Sequence, residues 1–155
     1  MIAEIILAVE HLHKHKIMYR DLKPENVLVD FHGHVKLTDF GLCKQLADKE
    51  DLSKSLCGSP EYICPEMLNL GKHSRMVDYY QIGALLYELL TGLPPCYSND
   101  KTLMFNRIAN EQPHMPKHLS HATKDLLKGL LQKDPTQRIG YSDEFDEVKR
   151  HSFFD

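Results

Sequence analysis

The sequence contains no tryptophan, only four cysteines, and no marked excess of either charge. The formal net charge of −3 gives no support for a surface that binds nucleic acid, so we predict no nucleic-acid partner. No apolar run is long enough to cross a bilayer or resembles a signal peptide, which predicts no membrane segment. The cysteines lack a paired C-x-x-C spacing, which favours reduced thiols and a cytoplasmic location, with the nucleus as an alternative.

Histidine, by contrast, is abundant, with ten residues in a chain of 155. His11 and His15 are four residues apart in a predicted helix and therefore share one face. A metal site at this position would need further ligands nearby, so we interpret the pair as part of a solvated helix end. The remaining composition, 42% hydrophobic and 26% charged, is ordinary for one globular domain.

Helical periodicity dominates the chain and predicts a mainly α fold. Apolar residues recur at three- and four-residue steps from about Met1 to His15, which predicts an amphipathic helix. Residues Val77–Leu90 are apolar on all sides, which predicts a buried central helix that stops at Gly92. The candidate N-caps of three further helices are Asn99 or Asp100, Ser120 and Asp143.

One short stretch, Tyr19–Asn26, holds a carboxylate, an amine, a second carboxylate and an amide within six residues. Pro24 fixes its own φ and biases Lys23 towards an extended conformation, so the segment is predicted to be a rigid loop. A solvated charged turn would explain a stretch of this kind by itself. A second motif, Asp39-Phe40-Gly41, follows Asp21 by 18 residues and favours a functional site instead.

A predicted β-hairpin lies between the two motifs. Two short β-favouring runs, Val27–Val29 and Val35–Thr38, flank turn-forming residues at 30–34. This hairpin would place Asn26 and Asp39 together at its two open ends. The stretch that follows, from Asp39 to Glu66, lacks sustained periodicity and is polar at 48–51. A loop of this length is usually functional or mobile.

The motifs, taken together, resemble those of eukaryotic protein kinases. Residues 20–26 (Arg-Asp-Leu-Lys-Pro-Glu-Asn) resemble the catalytic loop, and Asp39-Phe40-Gly41 resembles the metal-binding motif. Tyr19, residues 42–44 (Leu-Cys-Lys) and residues 57–62 (Cys-Gly-Ser-Pro-Glu-Tyr) resemble the AGC group of serine/threonine kinases. The resemblance extends from Met1 to about Phe154.

The resemblance implies a fold in which residues 1–155 form a protein-kinase-like C-terminal helical lobe. Its small β-hairpin would lie at the catalytic loop and the metal-binding motif. The Gly-rich loop, the strand lysine and the partner glutamate of the family's N-terminal lobe do not occur in this sequence. We therefore expect a partial kinase domain whose N-lobe is absent, and we expect the isolated chain to transfer no measurable phosphate.

The implied activity is transfer of the ATP γ-phosphoryl group to Ser or Thr hydroxyls of a protein substrate, with Mg²⁺. The implied catalytic residues are Asp21, Lys23 and Asn26. The implied nucleotide-binding residues are Lys23, Glu25, Asn26, Leu28, Thr38 and Asp39. Asn26 and Asp39 would be the Mg²⁺ ligands, because Mg²⁺ prefers oxygen donors. Gly41 is expected to take a backbone conformation that other residues resist.

Further positions are carried over by the same resemblance. Ser55 would be an activation phosphosite, modified by an upstream activating kinase, and Arg20 and Lys44 would pair with its phosphate. An unmodified loop serine is the alternative for Ser55. The implied peptide-binding residues are Glu25, Ser59 and Glu88, with a preference for Arg-containing peptides; ordinary surface acids are the alternative. The implied structural residues are Glu66 and Arg138, as a buried ion pair, and Asp78, as the anchor of the catalytic loop.

Two other functions remain open from sequence. A catalytically incompetent half-kinase could act as a module that binds peptides or another kinase. A small-molecule phosphotransferase would use similar catalytic residues, but the peptide-docking segment that ends at Pro65-Glu66 argues against it.

Overall fold

Six α-helices and four short strands form the part of the chain that the computed structural model describes, which is residues 1–47, 52–55, 57–69 and 72–155. The polar stretch at 48–51 lies outside it. The helices are α1 (Ile2–Lys14), α2 (Pro65–Leu68), α3 (Met76–Thr91), α4 (Lys101–Asn110), α5 (His121–Leu130) and α6 (Glu144–Lys149). The strands are β1 (Ile17–Met18), β2 (Val27–Val29), β3 (Val35–Leu37) and β4 (Lys44–Gln45). The fold is therefore helix-rich with two small antiparallel sheets.

Helix α3 is the centre of the core, as predicted. Every residue from Met76 to Tyr87 is buried, and α1 and α5 pack against the helix. Gly83 allows α5 to approach closely, since a Cβ at this position would lie 2.8 Å from the Cβ of Leu130. The helix ends at Gly92, whose φ of +87° is left-handed and whose N–H donates to the carbonyl of Glu88 at 2.7 Å.

The first helix also agrees with its predicted pattern. Ile5, Ile6 and Val9 are fully or almost fully buried on the face of α1 that meets the core. The opposite side carries exposed residues such as Leu7. No helix in the described ranges has the length and hydrophobicity needed to cross a membrane.

Two of the predicted caps are confirmed and one is wrong. Asp100 Oδ1 accepts hydrogen bonds from the N–H groups of Thr102 and Leu103 at 2.8 and 3.2 Å and caps α4. Ser120 Oγ accepts from Thr123 N–H at 3.1 Å and caps α5. Asp143 occupies the N-cap position of α6 but accepts no cap hydrogen bond. Its carboxylate pairs with Arg150 instead, because that guanidinium reaches it from the other end of the helix.

The predicted hairpin is confirmed. Strands β2 and β3 pair antiparallel, with Val27 opposite Leu37 and Val29 opposite Val35. Thr38 N–H donates to the carbonyl of Asn26 at 3.0 Å and extends the pairing by one residue at the open end. A second two-stranded sheet joins β1 to β4.

All four cysteines, Cys43, Cys57, Cys64 and Cys96, are free thiols. Burial raises the pKa of Cys43 to about 11 and raises the pKa of Cys64 well above its usual value. Both thiols are therefore poor nucleophiles near neutral pH, since the thiolate is the reactive form.

Candidate functional site

The charged loop follows β1 directly and ends in a short 3-10 turn at Pro24–Asn26. Lys23, before the proline, is extended, with φ −158° and ψ 163°, as its position predicts. Arg20 has a left-handed φ of 69°, which is costly for a residue with a side chain. Neighbouring groups must therefore hold the loop in this conformation.

Asp78, at the start of α3, supplies much of that support. Its carboxylate is fully buried and accepts hydrogen bonds from the backbone N–H groups of Tyr19 at 2.9 Å and Arg20 at 2.8 Å. His13 Nε2 donates to the same carboxylate at 2.7 Å. Asp78 of α3 thus holds the backbone at Arg20 directly, and His13 of α1 holds the Asp78 carboxylate.

Gln81, one turn further along α3, makes a second set of contacts with the loop. Its Oε1 accepts from Leu22 N–H at 3.1 Å, and its Nε2 donates to the Arg20 carbonyl at 3.0 Å. Nε2 also donates to the Tyr62 carbonyl at 3.3 Å. Gln81 and His13 were not predicted from sequence, although a lone glutamine in a helix predicted to be buried on all sides must find polar partners.

Three of the predicted residues are joined directly at the centre of the loop. Asn26 Nδ2 donates to Asp21 Oδ2 at 2.9 Å and to the Asp21 carbonyl at 2.8 Å. Lys23 Nζ lies 2.9 Å from Asp21 Oδ2 and donates to Ser59 Oγ, also at 2.9 Å. One ammonium group therefore contacts both the Asp21 carboxylate and a residue of the segment at 57–62.

Asp39 lies at the open end of the hairpin, one residue beyond the Thr38–Asn26 hydrogen bond. It is exposed, and its Oδ1 accepts from Gly41 N–H at 3.1 Å. Within the described residues, no hydrogen bond joins its side chain to Asn26 or Asp21. Both Asp21 and Asp39 contribute to a raised pKa of Tyr19, after burial, so both carboxylates act on one ring.

The expectation for Gly41 is wrong in its position. The left-handed backbone in this motif falls on Asp39, with a φ of 54°, and not on Gly41. The short side chain of aspartate tolerates this region better than most residues do. Gly41 matters for space instead, because a Cβ there would lie 3.1 Å from Asp39 Oδ1.

The donor set at the hairpin end fits a hard divalent cation. Both bonds of the Asn26 amide to Asp21 use Nδ2, which leaves Oδ1 as the atom that Mg²⁺ would take, together with a carboxylate oxygen of Asp39. Mg²⁺ is usually held by one or two protein oxygens together with substrate phosphates. Within the described ranges, no three His, Cys, Asp or Glu side chains cluster as a metal site. The rings of His11 and His15 lie 4.4 Å apart, centroid to centroid, and are tilted by 46°.

The remaining predicted nucleotide-binding residues lie around the hairpin. Leu28 is 54% exposed, on the hairpin face opposite to the one that Val27, Val35 and Leu37 pack against the core. Thr38 is half-buried, and its Oγ1 donates to the Asn26 carbonyl at 3.3 Å. Leu28 thus presents an apolar surface next to the polar group at Asn26.

Arg20 connects the loop to the stretch around Ser55. Its Nη1 donates to Ser55 Oγ at 2.7 Å and to Ser53 Oγ at 3.0 Å, and the two hydroxyls are themselves 3.1 Å apart. Its Nε donates to the Leu42 carbonyl at 2.8 Å. Lys44 lies in the same region, where its Nζ donates to the Leu52 carbonyl at 3.3 Å. The structure therefore brings Arg20 into contact with Ser55, whereas Lys44 contacts a residue three positions earlier.

A second group of predicted residues forms an acidic surface beside Ser59. Glu25 is exposed, Glu88 is half-buried, and the Tyr62 hydroxyl donates a hydrogen bond to the Glu88 carboxylate. Burial raises the pKa of Glu88, and the negative charges of Glu25 and Glu61 raise it further. The three carboxylates are therefore close enough to repel one another, which favours a cationic ligand. Glu61 was not singled out from sequence.

Glu66 and Arg138 form a bidentate ion pair across 72 residues. Nη1 donates to Oε1 at 2.7 Å and Nη2 donates to Oε2 at 3.0 Å. Arg138 is 1% exposed, and it also donates to the carbonyls of Met76 and Gln132. The pair joins the start of α2 to the segment after α5.

Comparison with known families identifies the class of protein. The profile of the protein kinase domain matches residues 1–154. The chain therefore belongs to the protein kinase family.

The similar proteins within this family include serine/threonine kinases. Serine/threonine-protein kinase Sgk1 of Danio rerio is 48% identical over 152 residues, which are 98% of this chain and 35% of that protein. Human Sgk1 is 47% identical over 152 residues, with the same two coverages. Sgk1 of Xenopus tropicalis is 47% identical over 98% of this chain and 36% of its own length. The chain thus spans about a third of the length of these curated relatives.

Proposed function

We propose that residues 1–155 form the C-terminal helical lobe of a serine/threonine protein kinase, which transfers the ATP γ-phosphoryl group to Ser or Thr hydroxyls of proteins. The observation that carries this proposal is the contact of Lys23 Nζ with both Asp21 Oδ2 and Ser59 Oγ, each at 2.9 Å. It supports a site in which the catalytic loop and the segment that would dock the substrate meet at one point.

Each residue then has a distinct task in the transfer. Asp21 would accept a hydrogen bond from the substrate hydroxyl, orient it towards the γ-phosphate and take its proton. Lys23, already beside that carboxylate, would neutralise charge on the transferred group. Asn26 would keep the Asp21 carboxylate in place through Nδ2. Because phosphoryl transfer needs little covalent work from the protein, such positioning and charge compensation are most of the catalysis.

The nucleotide and its metal would lie against the hairpin. Asn26 and Asp39 would hold Mg²⁺, which when bound compensates the negative charge of the phosphates. Leu28 and Thr38 would line the floor below the base, and Glu25 would lie at the edge of the same surface. Leu28 provides an apolar area of the kind that nucleobases stack on.

The acidic surface would select the substrate. Glu88 and Glu25 would pair with a guanidinium of an Arg-containing peptide, with Glu61 adding charge. A carboxylate and a guanidinium match in geometry and form charge-assisted hydrogen bonds. After burial, the negative charges of Glu25 and Glu61 raise the pKa of Glu88, and an incoming cation would relieve this repulsion among the acids.

Regulation and location complete the proposal. A phosphate on Ser55, added by an upstream kinase, would meet Arg20 and nearby Lys44 and would order the segment after Asp39. Asp78 and the Glu66–Arg138 pair would act as structural residues. The free thiols are compatible with a reducing compartment, and we propose a cytoplasmic location.

A catalytic test separates this function from that of a binding module. In the protein expressed from its complete coding sequence, Asp21→Asn should reduce phosphate transfer to a protein or peptide by at least 100-fold. ATP binding should stay within a few-fold of wild type. Asp125→Asn, on the surface of α5, is the matched control and should transfer normally. Unchanged transfer by the Asp21 variant would contradict the proposal.

A further inference from the structure

Gln81 lies in the middle of α3, where most neighbouring side chains are apolar, and it is fully buried. In the part of the chain that the structure describes, its amide makes no hydrogen bond to its own helix. All three of its hydrogen bonds reach other segments, to Leu22 N–H, to the Arg20 carbonyl and to the Tyr62 carbonyl. The partners are 19 to 61 residues away in sequence.

These partners belong to two different parts of the candidate site. Arg20 and Leu22 are the residues on either side of Asp21. Tyr62 ends the 3-10 turn at Pro60–Tyr62, which follows Ser59, and its hydroxyl donates to Glu88. One amide is therefore bonded at the same time to the loop that carries Asp21 and to the turn beside the acidic surface.

We propose that Gln81 is a positioning residue that couples the Asp21 loop to the substrate-docking turn, so that a hydroxyl bound by the turn is delivered to the Asp21 carboxylate. This inference rests on the proposed phosphotransfer activity. Gln81 touches neither reacting atoms nor nucleotide in this arrangement, and it acts through the backbone on both sides of Asp21.

The two segments that the Gln81 amide joins are packed closely together, which leaves little room for either to move. Gly58, which starts the docking segment, has a left-handed φ of +97° and runs directly against the Arg20 carbonyl. A Cβ at Gly58 would lie 3.0 Å from that carbonyl oxygen and 3.9 Å from Gln81 Nε2. The two segments are thus held side by side, and the amide lies where they meet.

An apolar side chain of the same size could fill this space but could not replace the bonds. Leu22 N–H and the carbonyls of Arg20 and Tyr62 would lose their partner in a buried site. Buried backbone groups without partners are strongly disfavoured, so both segments would shift to recover hydrogen bonds. The loop and the turn would then move independently of each other.

The test uses Gln81→Met in the protein expressed from its complete coding sequence, because methionine matches glutamine in length. Rates are divided by the folded fraction. We expect kcat to fall by at least ten-fold and the KM for a peptide substrate to rise several-fold, while the KM for ATP changes by less than two-fold. Gln112→Met, at an exposed position after α4, is the matched control and should behave as wild type.

A second control separates coupling from general loss of stability. Ser120→Ala removes the cap of α5 and should lower the melting temperature without changing kcat or peptide KM per folded molecule. A Gln81→Met protein with wild-type kcat and peptide KM would overturn the proposal. So would a variant whose only defect is a smaller folded fraction.

Hydrogen–deuterium exchange supplies a readout that does not depend on activity. In Gln81→Met, exchange should speed up both at residues 20–23 and at 60–63, while α5 stays as protected as in wild type. Faster exchange in only one segment, or in neither, would overturn the coupling. If the wild-type protein transfers no phosphate, the proposed function fails, but the exchange result still decides whether Gln81 joins the two segments. Should Gln81→Met not fold, Gln81→Glu, which keeps an acceptor for Leu22 N–H, is measured in the same way.

Discussion

The guanidinium of Arg20 donates a hydrogen bond of 2.7 Å to the hydroxyl of Ser55, 35 residues further along the chain. Arg20 directly precedes Asp21, so any charge placed on Ser55 acts on the residue next to the proposed catalytic carboxylate. This contact exists without a phosphate and gives the basis for a first prediction.

Ser55→Ala should lower the activity of the fully activated protein by at least ten-fold, because phosphate contacts with Arg20 can no longer form. Ser142→Ala, at an exposed position before α6, is the control and should have no effect. Intact-mass analysis combined with a transfer assay tests the idea. Full activity of a wild-type preparation that carries no phosphate on Ser55 would refute it.

Glu66→Gln should destabilise the protein by about 3–5 kcal/mol, because Arg138 would keep its charge in a buried site without a carboxylate partner. The matched control is Asp143→Asn, which removes the partner of Arg150 from an exposed pair and should cost less than about 1 kcal/mol. Chemical denaturation monitored by circular dichroism measures both. Equal effects of the two substitutions would show that burial of the first pair has no energetic consequence.

Asp78→Asn should impair the loop more than it impairs the helix. The amide has no charge and retains one acceptor oxygen, so at least one of the three donors on Tyr19, Arg20 and His13 is left without an acceptor. Each orphaned buried donor costs about 1–3 kcal/mol. We expect lower stability together with faster amide exchange at residues 19–20, measured by mass spectrometry. Unchanged exchange there would mean that Asp78 does not hold the loop.

Glu88→Gln should raise the KM for an Arg-containing peptide by about 10- to 100-fold, the equivalent of a charge-assisted hydrogen bond of about 1.5–3 kcal/mol. The KM for the same peptide with Arg replaced by Ala should not change. Glu111→Gln, on an exposed residue after α4, serves as the control. If a peptide library on the wild-type protein shows no preference for Arg, the role of this acidic surface is wrong.

The Glu4–His34 contact joins α1 to the hairpin turn, and its contribution to stability is expected to depend on pH. His34 Nδ1 lies 2.7 Å from Glu4 Oε1, and Glu4 raises the pKa of His34 while His34 lowers that of Glu4. The raised histidine pKa stabilises the fold below its unfolded pKa, near 6.5, and that stabilisation disappears as the pH rises through the folded pKa. The lowered Glu4 pKa stabilises the fold above its unfolded pKa, near 4.5, and that stabilisation disappears as the pH falls through the folded pKa.

Wild type should therefore melt at a higher temperature than His34→Gln at pH 5.5, and the difference should vanish at pH 8.5. Thermal unfolding of both proteins at the two pH values measures this. His32→Gln, in the same turn, is the control, and its difference from wild type should not depend on pH in this way. If the melting temperatures of wild type and His34→Gln differ by the same amount at both pH values, the Glu4–His34 ion pair does not stabilise the fold in the predicted way.

Local features of this fold could be read from sequence because their partners are near in the chain. The hairpin, the Asp100 cap and the extended Lys23 each depend on residues within a dozen positions. Asp143 lies at the start of α6, but its carboxylate pairs with Arg150, seven positions later, and does not cap the helix. The expectation that Gly41 takes a backbone conformation that other residues resist did not identify the left-handed residue of this motif, which is Asp39.

The residues of the site were predicted from sequence, but most of the hydrogen bonds that hold them in place were not. Asp21, Lys23 and Asn26 do converge, and the motif named them. Gln81 and His13 escaped notice because their partners lie 59 and 65 residues away, where no pattern of spacing can signal a contact. Buried polar side chains on an apolar helix were the available signal, since such groups must be paired in the folded protein.

Helix α3 is buried along most of its length, and it carries both Asp78 and Glu88. The helix therefore sets the separation between these two side chains. The rise of an α-helix places Asp78 and Glu88 about 15 Å apart along the helix axis. Inserting a single alanine between them would advance Glu88 by about 1.5 Å and rotate it by about 100° around the helix axis. The uninterrupted length of α3 therefore fixes the separation between the anchor of the Asp21 loop and the Glu88 carboxylate.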